Sequence, residues 1–146
     1  HLKGEKSYFL PFNKGYNNGA GNPPNGGIKT DYLWKEILTK NNLTNIIENF
    51  CQLIEEEKEY TDDKGKVKVR KEKKLIFPRY HQLTAVKMLL SDAKAKGVGQ
   101  KYLIQHSAGS GKSNSISWLA HQLVGLHDNL GKTNIFDTVI VITDRR

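Results

Sequence analysis

At 146 residues the chain has about the length of one domain, enough to bury a core. An ordinary apolar fraction of 37% excludes a disordered class, and no run approaches the roughly 18 apolar residues that a membrane span needs. The net charge of +8 favours a polyanionic partner but does not require one.

The start, His1-Leu2-Lys3-Gly4, has no apolar core of a secretory signal and no initiator Met, which suggests a piece of a longer protein. Cys51 is the only cysteine, so an intrachain disulfide is excluded and a reducing cytoplasm fits. Residues 1–30 hold much of the glycine and proline. Tyr8 to Phe12, broken by Pro11, suits a short edge strand. Asn13 to Gly27 is dense turn chemistry, either a linker or an ordered loop; Tyr16 favours order.

Residues 31–74 read as a helical connector and a charged hairpin. Asp31 opens a helix carrying Leu33, Trp34, Ile37 and Leu38, which Asn41-Asn42 interrupts. A second helix from about Thr44 places Ile46, Ile47, Phe50, Leu53 and Ile54 on one stripe, beginning at Leu43. Trp34, Phe50 and Cys51 are expected in the core. Asp63-Lys64-Gly65, followed by Val67 and Val69 alternating with lysines, predicts a small exposed hairpin. Its basic half could lie on a phosphate backbone; a solvated hairpin is the plainer reading. Glu56-Glu57-Lys58 and Glu72-Lys73-Lys74 have the look of a nuclease Glu-x-Lys, but neither follows an apolar strand with an upstream Asp, so both are rejected.

Residues 75–146 read helix, strand, loop, helix, strand. Pro78 precedes a helix through Leu83, Val86 and Leu89 that Gly97 closes. Tyr102-Leu103-Ile104 reads as a strand. A small-residue loop follows: Ser107, Ala108, Gly109, Ser110, Gly111, then Lys112 and Ser113 opening a helix in which Trp118 is expected to be core. Phe136 to Thr143 is rich in β-branched residues, as in a parallel strand buried on both faces. The class expected is therefore α/β, half of a doubly wound parallel sheet.

The loop carries the chemistry. Gly109 and Gly111 allow positive φ and close approach of an anion. Successive amides at a helix start make a donor nest. Lys112 would reach the β and γ phosphates, and the Ser113 hydroxyl would ligate magnesium. The general pattern is G-x-x-x-x-G-K-[ST], and its first position is His106. The plainer alternative is a glycine turn with Lys112 merely exposed. His106 is expected to be a packed strand-end residue. His121 and His127 do not have a metal-binding spacing on a helix.

Phe77-Pro78-Arg79-Tyr80-His81-Gln82, then Gln105 to Ser113, then Val139 to Arg146 together resemble the R subunit of type I restriction enzymes. Phe9 to Gly15 and Gly19 to Pro23 resemble the same family's segment between nuclease and motor. The resemblance implies a partial RecA-like P-loop motor domain, a parallel sheet with flanking helices, preceded by a helical and loop connector. It implies an ATP-driven translocase of double-stranded DNA with ATP and Mg2+ as cofactors, cytoplasmic in a bacterium or archaeon, with methyltransferase and specificity subunits as partners and no membrane. By that resemblance Gln82 would read adenine, with Arg79 as its neighbour, and Thr143 and Arg145 would contact DNA. Asp144 fits either this DNA-tracking motif or the magnesium-holding end of an apolar strand. The family's nuclease carboxylates, later motor motifs and second motor domain match nothing here, so the chain alone is expected to be inactive and, through exposed sheet edges, to be poorly soluble or to associate. The alternatives are another superfamily 2 helicase or translocase, and a non-catalytic module that docks DNA or a partner.

Overall fold

The computed structural model describes residues 12–24 and 27–143. The chain divides into two compact units, one built mainly of Thr30–Pro78, the other of Phe12–Lys29 with Arg79–Arg146.

The first unit begins with a single π-helical turn, Leu33–Ile37, followed by helix α1, Lys40–Asn49. Tyr32, Ile37, Ile46 and Phe50 are its buried apolar side chains, and Phe50 is 0% exposed. The expected helix through Leu53 and Ile54 is not formed. The chain leaves α1 at Phe50 and enters strand β1, Gln52–Thr61, which pairs antiparallel with β2, Val67–Ile76. Leu53 stands opposite Leu75, and Ile54 opposite Lys74. Asn41 and Asn42 lie within α1 and do not interrupt it. Trp34 is 50% exposed, so it is not core. Cys51 is half-buried, and burial pushes its thiol above the ordinary value.

The turn of the hairpin falls where the sequence places it. Asp62 Oδ1 accepts from the amides of Lys64 and Lys66, and Gly65 takes φ 74°. An aspartate closing on amides two and four residues ahead, with a glycine at the left-handed position, is a turn any hairpin can use. The Lys68 ammonium and these amides hold the Asp62 carboxyl below its usual range. The two strands are ten residues each, and their charges answer one another. Glu55 meets Lys73 at 3.0 Å and Glu57 meets Lys71 at 3.3 Å, both directly across the ladder. Lys58 and Glu72 meet at 2.9 Å, as do Lys68 and Asp62. Of the basic residues in 64–74, Lys71 and Lys73 thus face carboxylates of β1, and Lys68 faces Asp62 in the turn.

In the second unit, helix α2 spans Tyr80–Lys96 and helix α3 spans Lys112–Val124. They pack on each other, with Leu83, Val86, Ala93 and Trp118 buried. Gly97, at φ 73°, closes α2, and Lys94 and Lys96 lie on the negative end of its dipole. The Asn13 to Asn22 stretch is an ordered loop. Lys14 N donates to Asn22 Oδ1, Gly15 N to Gly21 O, and Tyr16 pairs with Gly19 around Asn17 and Asn18, both at positive φ. Two consecutive residues at positive φ are what a tight hairpin turn asks for. Phe12 stacks edge-on against Tyr80 at 5.7 Å. The strand expected at Tyr8 to Pro11 lies outside the described residues.

Among the described residues there is no parallel sheet. Among the described residues the only sheet is the antiparallel β1–β2 pair, accompanied by three α-helices. Residues 101–106 and 136–143 belong to no strand. Leu103 is 95% exposed and Ile142 is 90% exposed. The α/β, RecA-like expectation is thereby overturned. A parallel strand is buried only when other strands supply its backbone partners and helices cover both faces. These segments have apolar side chains but no such partners. No helix among the described residues is long and apolar enough to cross a membrane.

Candidate phosphate-binding loop

The loop begins where residues 101–106 end. Gly109 and Gly111 both adopt positive φ, 72° and 82°, as a close anion approach requires. Gly111 is the N-cap of α3, and its carbonyl accepts from Asn114 N at 3.1 Å and Ser115 N at 3.4 Å. The amides of Gly109, Gly111, Lys112 and Ser113 meet no acceptor among the described residues. Four orphan donors at a helix start are the usual condition of an α-helix; here a positive-φ loop adds to them.

Lys112 folds back over the loop. Its Nζ donates to His106 O at 3.1 Å and Ser107 O at 3.0 Å. An ammonium has three donors, so one remains for a ligand oxygen. Ser107, Ala108, Lys112 and Ser113 are exposed, whereas Ser110 is buried.

The first turn of α2 reaches the same loop. Gln82, 3% exposed, donates from Nε2 to Gly111 O at 2.8 Å and Ser110 O at 3.2 Å, and its Oε1 accepts from Arg79 N at 2.8 Å. His81 Nε2 lies 3.3 Å from Ser110 O. The His81 and His106 rings meet edge-to-face at 5.0 Å. Burial foremost, then the neighbouring His81 and Lys112, holds the His106 imidazole below its ordinary value. His106 Nδ1 and Ser110 Oγ have no hydrogen-bond partner among the described residues. A cavity of about 220 Å3 shares His106 and Lys112 with the loop, but Val86, Leu89, Ile104 and Leu119 make its lining mostly aliphatic.

The structure thus brings Gln82 and His81 to the loop, and Arg79 is joined to Gln82 through its backbone N–H. It does not gather the rest. Thr143 is exposed in an unpaired segment, and Asp144 and Arg145 lie outside the described residues. No group of three or more His, Cys, Asp or Glu among the described residues could hold a metal ion. Sequence reasoning missed the contact of His81 with the loop and the internal bonding of Gln82. A glutamine three residues after Arg79 at a helix start, the spacing of a capping box, was the signal for the second. No family model matches the chain, and no curated protein or solved structure matches it.

Proposed function

We propose that residues 107–113 bind the triphosphate of ATP. The observation that carries this reading is the set of unbonded amides at Gly109, Gly111, Lys112 and Ser113 with the Lys112 ammonium folded beside them. Backbone N–H groups and one cation converging on a glycine loop at a helix N-terminus suit a multiply charged phosphate better than a carboxylate or a neutral ligand. The exposed Ser113 hydroxyl is a suitable oxygen ligand for magnesium carried by the phosphates, and with no acidic cluster among the described residues the remaining ligands would be phosphate and water oxygens. Magnesium would supply charge neutralisation at the β and γ phosphates, to which Lys112 adds a fixed positive charge.

The setting rests on the sequence resemblance alone. In it the chain is part of the ATP-dependent translocase and endonuclease subunit of a restriction-modification system, with double-stranded DNA and the methyltransferase and specificity subunits as partners, in the cytoplasm. Thr143 and Arg145 as DNA contacts belong to the same resemblance.

Calorimetry of ATP with and without magnesium tests the phosphate reading. Binding that strengthens with magnesium is the expected result. No heat of binding at millimolar ATP would overturn it.

A further inference from the structure

We propose that Gln82 is a positioning residue of the phosphate loop and does not read the nucleotide base. The inference rests on the phosphate-loop reading and adds to it how the loop is held open. A glutamine amide has two N–H donors and one acceptor oxygen. Both donors are committed, to Ser110 O and Gly111 O, and the oxygen already accepts from Arg79 N. The oxygen keeps a second lone pair, but a bidentate reading of a base edge also needs an Nε2 donor, and that would break the bond to Ser110 O or Gly111 O.

The consequence for the loop follows from peptide geometry. In a planar trans peptide the carbonyl of one residue and the N–H of the next point in opposite directions. Gln82 holds the Ser110 carbonyl, so the Gly111 N–H points away from Gln82. It holds the Gly111 carbonyl, so the Lys112 N–H does the same. Those are two of the amides left without an acceptor. One side chain therefore fixes two adjacent peptide planes and aims two donors outward together. Gly111 is fitted to this arrangement from the other side: a Cβ there would stand 2.5 Å from Gln82 Nε2. Its lack of a side chain is required by the brace as well as by its φ of 82°.

The test measures magnesium-dependent binding of ATP, GTP and inorganic triphosphate to the 146-residue chain by calorimetry, with 15N–1H spectra of each free protein. The variants are Gln82→Ala and Gln82→Met, the second keeping the buried volume while removing the amide. The expected result is a loss of about tenfold in affinity, equal for all three ligands, as for removal of a hydrogen-bonded support. The Gly111 and Lys112 amide resonances move in the free variants while those of the α3 interior stay. A merely structural role would lower the melting temperature without singling out those two resonances. A loss confined to ATP, with triphosphate binding unchanged, overturns the proposal and makes Gln82 a base reader. A wild-type chain that binds none of the three ligands overturns the phosphate loop itself.

Discussion

Replacing Lys112 with alanine is expected to weaken binding of ATP and of inorganic triphosphate by about a hundredfold, the loss that follows from removing a charge-assisted hydrogen bond and its fixed positive charge. The Lys112 Nζ lies over the loop with two donors on His106 O and Ser107 O and a third free. Truncation removes the point charge and unties the loop from its first residues. The fold should survive, because Lys112 is exposed and starts α3 without being packed in its core. Calorimetry with a thermal melt checks both halves. Unchanged affinity in a folded variant would show that the ammonium faces no phosphate, and the loop would then be a plain glycine turn.

The second large effect is on stability. Trp118→Ala should lower the unfolding free energy by about 3–5 kcal/mol, the range for emptying a buried aromatic site. Trp118 is 1% exposed, on the helix that carries the phosphate loop at its start. Trp34→Ala should cost much less, about 1 kcal/mol or under, because half of that ring is in solvent. Urea unfolding of the two variants separates them. Equal losses would mean that the burial of the two rings is wrongly assigned.

Those two tryptophans show what the sequence does and does not carry. Both stand in apolar helical spacing, and both were expected in a core. Local periodicity marks which face of a helix is apolar, but burial depends on what arrives to cover that face. Trp118 is covered in a unit where α2 and α3 pack together; Trp34, beside the π-helical turn, is half in solvent. Leu53 and Ile54 make the same point. They continue the stripe of Ile46 and Phe50 at helical spacing, yet they pair across a hairpin with Leu75 and Lys74, 22 and 20 positions away. Periodicity over a few residues does not register a partner so distant in sequence. The parallel sheet failed for the same reason. Val139 to Ile142 has the composition of a buried strand, but the strands that would pair with it are absent among the described residues.

Features that depend on neighbours in sequence were legible. The Asp62 to Lys66 turn closes through bonds spanning two to four residues. Gly109 and Gly111 take the positive φ that the glycine spacing of the loop implies. Lys112 begins a helix where the pattern places one. The contacts from α2 to the loop span 28 and 29 residues, and a linear motif gives no hint of which side chain braces which carbonyl.

The most direct measurement is a titration of the 15N-labelled chain with magnesium and inorganic triphosphate, followed by amide resonances. Binding at the loop predicts that the amides of Gly109, Gly111, Lys112 and Ser113 shift first and saturate together. Shifts spread instead over the lysines of β2, fading with salt, would mean that the chain attracts phosphate only through its charge and that residues 107–113 are no site for it.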